Sequence, residues 1–224
     1  MSEALTLFSL PLFPLGTVLY PGGLLPLRIF EVRYLDMIGK CHKTGAPFGI
    51  VSLTEGSEVR RAVDTTSKDA KPTGDGFAHE TFNAVGTLAR ITDFSVPQSG
   101  LMVIECSGIH RFKISKHEKL KHGLWIAEVT RLEDDLPVKI PADLQKTADA
   151  LHKLISNLQQ SDLSHGKIPV QTPYRLDDCG WVANRWCELL PLALPLKQRL
   201  MELDNPLLRL ELVCDILERL GISL

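Results

Sequence analysis

The stretch LPLFPLGTVLYPGGLLPLRIFEVRYLDMI, residues 10–38, determines how the chain begins to fold. It is apolar, yet four prolines and a glycine pair interrupt it. Proline has no amide hydrogen, so within a sheet it is confined to strand starts, edges and bulges. The stretch therefore predicts two short strands around the turn Pro21-Gly22-Gly23. A helix should follow from Glu31, where apolar residues recur at three- and four-residue spacing.

The same stretch does not fit a targeting or membrane segment. Glu3 stands where a signal peptide carries Lys or Arg, and Pro11 and Pro14 break the apolar region that such a peptide needs. Any window of about 20 residues also includes the glycine pair and Arg28, which excludes a membrane-spanning helix. We therefore expect a soluble protein.

The composition excludes several classes of protein. Of the 224 residues, 44% are hydrophobic and 23% are charged, which indicates a folded globular chain and not a disordered one. The net charge of −2 provides no basic field that would attract nucleic acid or an anionic membrane. The five cysteines are odd in number, widely spaced and without a C-x-x-C pair, which favours a reducing, cytoplasmic location.

The pattern along the chain predicts an α+β protein with two domains. Residues 1–134 consist of short apolar runs bounded by Gly and Pro, as in a small barrel. Residues 142–224 change to a helical period, and we expect helices that begin at Leu144, Asp178, Pro195 and Pro206. The predicted strands are 5–13, 24–30, 48–53, 84–94, 101–106, 111–115 and 124–132.

Motifs for catalysis and metal binding are missing from the sequence. Gly166-Lys167 is followed by Ile168 and lacks the upstream glycine of a phosphate-binding loop. There is no G-x-S-x-G elbow, and we interpret Ser99 and Ser107 as residues of hairpin turns. The histidines form no H-x-x-x-H pair, so we expect neither a metal nor a cofactor.

Two arginines fall on apolar helix faces. Arg185 lies one turn after Trp181, a spacing that lets its guanidinium lie over the indole ring. Arg209 lies in the apolar face of the last helix, where a buried cation needs a partner. We expect a structural ion pair, and the alternative is an anchor for a ligand carboxylate. The candidate partners of Arg209 are Asp178, Glu202 and Asp204.

Several ordered motifs resemble one known family. Residues 10–34 are similar to the start of the Lon substrate-binding domain, the N-terminal domain of ATP-dependent Lon proteases. The further matches, in order, are FGIV at 48–51, VGTLARI at 85–91, GIHRFKI at 108–114 and LPLKQRLMELDNPLLRL at 194–210. Val32 departs from the family, which often has Pro there, so we expect a small shift of the first helical turn.

The resemblance implies a PUA-like, six-stranded pseudo-barrel followed by a helical bundle. We expect a stand-alone form without the AAA+ motor and the Ser–Lys peptidase domain, because no Walker A motif is present. The catalytic residues of the family then have no counterpart here, and we predict no enzyme activity. An inherited fold does not by itself carry the family's chemistry.

The leading hypothesis is a non-catalytic module that recognises unfolded or tagged polypeptide or docks onto a partner protein. The alternatives are an RNA-binding PUA-like module, which the mild acidity disfavours, and an unrecognised hydrolase. A binding surface is expected where the barrel meets the bundle or at the polar stretch 54–81. The candidate partner-binding residues are Pro21, Gly22, Arg60, Arg61, Trp181 and Arg185.

Overall fold

The computed structural model describes residues 5–56, 79–161 and 170–222. The N-terminal half is a sheet with one helix: β1 Thr6–Leu15, β2 Leu24–Ile29, α1 Val32–Thr44, β3 Phe48–Glu55, β4 Thr81–Phe82, β5 Val85–Gln98, β6 Leu101–Lys119 and β7 Trp125–Arg131. The C-terminal half is helical: a 3₁₀ turn Ala142–Leu144, α2 Gln145–Ser161, α3 Cys179–Leu189, α4 Leu194–Glu202 and α5 Pro206–Arg219. The α+β class predicted from the sequence is confirmed.

Five of the strands close into a barrel. The order β1-β7-β6-β5-β3 is antiparallel, and parallel pairing of Leu12 with Gly49 and Phe13 with Ile50 returns β3 to β1. The 19-residue strand β6 is long enough to hold two neighbours on one side. Its first half pairs with β2 and its second half with β7.

The prediction of two strands separated by a turn at Ser107 is wrong, because β6 continues through it. Ser107 pairs with Leu24 and Arg90, inside a continuous ladder. At Gly108 the chain passes under the backbone of Tyr20, and a Cβ atom would lie 2.2 Å from the Tyr20 carbonyl oxygen. This glycine therefore permits a close backbone approach and does not mark a turn.

The helix ends follow the local sequence closely. The Asp178 carboxylate accepts a hydrogen bond from the Trp181 amide at 2.8 Å and caps α3. The Asn205 side chain accepts from the amides of Leu207 and Leu208, and Pro206 begins α5 as predicted. The helix α1 begins at Val32, with Glu31 as its N-cap residue.

Two residues of the β1–β2 connection belong to the core of the helices. Val18 and Tyr20 are buried among side chains of α2, α3 and α5, whereas Leu19 between them packs into the barrel. The Tyr20 hydroxyl donates to the Lys197 carbonyl oxygen at 2.6 Å. The first turn of the chain thus joins the sheet to the helices, and the domain boundary at 134–142 stays a prediction.

None of the helices in the described part of the chain has the length and apolar character that a membrane crossing requires.

Replacing Gly108 with alanine should destabilise the protein. The added methyl group meets a backbone oxygen that cannot move without shifting the turn, so we expect the free energy of unfolding to fall by about 1–3 kcal/mol. Urea denaturation measures the change. Gly39 in α1 is the matched control, because its nearest neighbour is a methionine methyl at 3.8 Å. Gly39→Ala should be neutral or stabilising by up to about 1 kcal/mol, and an equal loss in both variants would contradict the proposed close approach.

Candidate functional site

A cleft of about 280 Å³ lies between the β1–β2 turn, β6 and the start of α3. Three of the predicted partner-binding residues line it: Pro21 and Gly22 from the turn, and Trp181 from α3. Arg60 and Arg61 lie outside the described residues, so their role stays a prediction. The structure thus brings together a turn and a helix that are about 160 positions apart in the chain.

Arg185 lies behind this wall of the cleft and is not on its surface. Its side chain is 0% exposed. One terminal nitrogen donates to the Gly22 carbonyl oxygen, and the other donates to the Pro21 carbonyl oxygen at 3.0 Å. The guanidinium carbon lies 5.8 Å from the centre of the Trp181 ring, as the one-turn spacing predicts. Arg185 therefore positions the turn and the indole and does not face solvent itself.

The glycine pair of the turn is explained by the charged side chains packed against it. Gly22 has φ = +72°, a conformation that favours glycine, and its missing Cβ would lie 3.2 Å from Arg185 Nη1. At Gly23 a Cβ would lie 1.9 Å from Glu188 Oε1. Larger residues here would displace the ion pair between Arg185 and Glu188, whose Nε–Oε2 distance is 2.8 Å.

Glu188 is the carboxylate most affected by this packing. Burial raises its pKa from 4.5 to about 7, and this effect exceeds the opposite influence of the Arg185 and Lys197 charges. Burial also raises the pKa of the neighbouring Cys187 thiol to about 11 and that of the Tyr20 hydroxyl above its ordinary value. The packing of the turn against Glu188 therefore favours the protonated form of this side chain up to about pH 7.

Arg209 forms a structural ion pair, but the partner expected from the sequence is wrong. Asp135 accepts from both terminal nitrogens, at 2.5 and 3.1 Å. Asn184 and the carbonyl oxygens of Leu200 and Leu203 accept the remaining hydrogens. All five N–H groups of the guanidinium have acceptors, so no donor is left for a ligand carboxylate.

The three carboxylates proposed as partners of Arg209 have other roles. Asp178 caps α3 and pairs with Arg175 at 2.9 Å. Glu202 accepts from Gln198 at 2.6 Å on its own helix, and Asp204 pairs with Arg111 at 3.0 Å. Several carboxylates lie near α5 in the sequence, and only the fold decides which one reaches the guanidinium.

Arg111 is a residue of the site that sequence reasoning missed. From β6 its buried guanidinium donates to the carbonyl oxygens of Met201 and Glu133, at 3.1 and 3.2 Å. These bonds hold the α4–α5 corner and the segment after β7 against the barrel. The only sequence signal is a charged residue in the apolar strand GIHRFKI, which does not identify its acceptors.

A second groove of about 590 Å³ continues from the cleft. The two share Arg111 and Asp134 in their walls, and the groove ends against Asp204, Asn205 and Pro206. Leu136 on its rim is 77% exposed. The walls of the cleft and of the groove together present apolar side chains and carboxylates, with which a ligand could make both apolar and polar contacts.

The cysteines in the described parts of the chain have the environment of structural residues. All five cysteines are free and buried, and burial raises the pKa of Cys106 to about 12 and that of Cys179 to about 11. Such thiols are protonated at neutral pH and are poor nucleophiles. Among the described residues no group of three His, Cys, Asp or Glu side chains is arranged to hold a metal ion.

Comparison with known proteins agrees with this fold. Residues 9–219 match the family described as the ATP-dependent protease La (LON) substrate-binding domain. The crystal structure of a Lon N-terminal domain protein from Xanthomonas campestris is similar, with 29% sequence identity and a TM-score of 0.65 over 93% of this chain and 98% of that one. The N-terminal domain of the Mycobacterium avium complex Lon protease shares the fold at 18% identity, with a TM-score of 0.55 over 92% and 96% of the two chains. No curated protein sequence matches.

Neutralising Asp135 should destabilise the protein strongly. Asp135→Asn leaves the buried cation of Arg209 without its carboxylate, which costs about 3 kcal/mol of unfolding free energy. Asp134→Asn next to it is the control, because Asp134 is 49% exposed and both of its partners, His110 and Arg131, are partly exposed as well. The control should change stability by less than about 1 kcal/mol. Chemical denaturation of both variants is the measurement, and similar losses would refute the assignment of Asp135.

Glu188→Gln should alter how stability depends on pH. Between pH 4.5 and about 7 the folded state holds a proton on Glu188 that the unfolded state releases. The stability of the wild type relative to Glu188→Gln is therefore greatest below pH 4.5 and falls as pH rises through 7, by about 1–3 kcal/mol.

Glu218→Gln is the control of opposite sign, because Lys146 lowers the pKa of Glu218. The stability that this pair contributes is present at neutral pH and lost as pH falls through the pKa of the folded state. Thermal melts of both variants from about pH 3 to pH 8 cover the range on both sides of 4.5 and test the two signs. A parallel pH profile for Glu188→Gln and the wild type would disprove the first.

Proposed function

Since the chain belongs to the Lon substrate-binding domain family, we propose that it is a non-catalytic module that recognises unfolded polypeptide segments. The observation that carries the proposal is the continuous cleft between barrel and helices, with Trp181, Leu136 and the Pro21–Gly22 turn along its walls. An unfolded polypeptide segment exposes apolar side chains and backbone hydrogen-bonding groups together. The apolar and polar groups along this cleft can contact both.

The charged groups of the cleft support recognition without chemistry. The guanidinium groups of Arg111, Arg185 and Arg209 are occupied by carbonyl oxygens and carboxylates that hold the walls together. These contacts fix the walls before a ligand arrives, which lowers the entropic cost of binding. Arg175 is different, because its side chain is 52% exposed at the mouth of the cleft.

The cysteines also bear on where the protein is located. Five free, buried thiols fit a reducing compartment, so we place the protein in the cytoplasm. The partner is a polypeptide, and no described feature favours RNA over it.

Leu136→Ser should weaken binding to an unfolded protein without changing stability. Leu136 is 77% exposed, so its removal costs the fold little but deletes apolar contact area at the groove. We expect the affinity for fluorescently labelled casein, measured by anisotropy, to fall by about 3- to 10-fold. Leu220→Ser is the matched control, since Leu220 is 51% exposed at the C-terminal end of α5 and lines neither the cleft nor the groove.

Two further arms separate polypeptide recognition from its competitors. A labelled single-stranded RNA should show no binding that declines steeply with salt. Purified protein should release no fragments from casein. Absence of casein binding, or equal binding by Leu136→Ser and the wild type, would reject the cleft as a polypeptide site.

A further inference from the structure

A separate groove, of about 290 Å³, lies on the barrel between β1 and β2, away from the cleft and the groove that continues it. Its lining includes six consecutive residues, 26–31, of which the first four belong to β2. Neighbouring side chains of a strand point to opposite faces, so a groove lined by several residues in a row follows the edge of the strand. In the part of the chain that the structure describes, β2 pairs with β6 alone, which leaves this edge open.

The floor of the groove is rigid and apolar. Phe13 stacks on Tyr34 with ring centres 4.0 Å apart, and the Arg33 guanidinium lies 4.5 Å from the centre of the Tyr34 ring on α1. Ile29 is buried beside them. Phe30 in the lining is 55% exposed, and Val32, which follows the last lining residue of this run along the chain, is 74% exposed. Two large exposed apolar side chains beside an apolar groove mark an interaction surface.

The two charged side chains that line the groove differ in whether they have an ion-pair partner. The Glu31 carboxylate is bonded to Arg33 at 2.9 Å. Arg28 is exposed and forms no ion pair within the described residues. A single uncompensated positive charge therefore lies on an otherwise apolar groove. It is the third of the six consecutive lining residues 26–31, so it would meet the interior of a bound segment and not its end.

We propose that the open edge of β2 binds an extended apolar polypeptide segment that carries an acidic side chain opposite Arg28. The segment lies along β2, its apolar side chains contact Phe30 and the groove floor, and its carboxylate pairs with the guanidinium. Strand addition at an open edge supplies backbone hydrogen bonds, whereas side-chain contacts supply the specificity. Pro26 removes one backbone donor of this edge, which limits uncontrolled pairing with other chains. The proposal rests on polypeptide recognition and adds a site separate from the barrel–helix cleft.

Charge-swapped peptides test the proposal directly. The probes are short peptides of alternating valine and serine, capped at both ends, with Asp, Asn or Lys at the centre. Binding measured by anisotropy should follow the order Asp, Asn, Lys, with about 3- to 10-fold between the extremes at low salt and less at high salt. Arg28→Glu should reverse the order. Arg90→Glu on β5, an exposed residue with the same change of charge, should preserve it.

Two further experiments test whether the peptides bind at this groove and whether the recognised carboxylate belongs to a side chain or to a chain end. The double variant Phe30→Ser, Val32→Ser should weaken all three peptides together, because it removes apolar contact and no charge. The Asn peptide with a free C-terminus should bind like its capped form. If it matches the Asp peptide instead, the groove recognises chain ends and the proposal is wrong.

The outcome separates this site from the cleft. Leu136→Ser should leave the order of the three peptides unchanged. If casein binds but Arg28→Glu preserves the order of the wild type, the groove proposal fails while the cleft proposal stands. If casein does not bind and the peptides still follow the predicted order, the cleft proposal fails alone.

Discussion

A buried arginine that binds two backbone carbonyl groups connects the two halves of this protein. Arg185 projects from α3 to the carbonyl oxygens of Pro21 and Gly22, and Glu188 one turn later accepts a hydrogen bond from the same guanidinium. An unpaired guanidinium in this position would cost several kcal/mol, so the turn, the arginine and the carboxylate are needed together. Because the same turn places Val18 and Tyr20 among the helices and Leu19 in the barrel, the position of one half depends on that of the other.

The same contacts explain why the site is suited to recognition. Arg111 and Arg209 hold the α4–α5 corner and the segment after β7 in the way that Arg185 holds the first turn. Their donors are directed to protein acceptors, so these three arginines shape the walls of the cleft and expose little of their own positive charge. What faces solvent is an indole edge, a leucine and backbone, together with carboxylates. Surfaces of this kind bind extended chains through many weak contacts and do not depend on one reactive group.

Local features of the structure were predictable from the sequence. The N-caps Asp178 and Asn205, the start of α5 at Pro206 and the stacking of Arg185 over Trp181 each depend on residues within about one helical turn. Gly108 shows where this reasoning fails. A Ser-Gly pair between two apolar runs is typical of a turn, but here the glycine allows the Tyr20 backbone to cross a continuous strand, and nothing near residue 108 specifies that crossing.

The α+β class, the Pro-Gly-Gly turn, the helix ends and the apolar faces can be predicted from the residues alone, since they follow from periodicity and from capping between neighbours. The carboxylate that pairs with Arg209, the backbone groups that Arg185 binds and the strand edge that stays open depend on how distant segments pack. The physical reason is that an arginine has several carboxylates of similar chemistry to choose from. The distance that selects Asp135, 74 positions away, exists only once the barrel and the helices have packed.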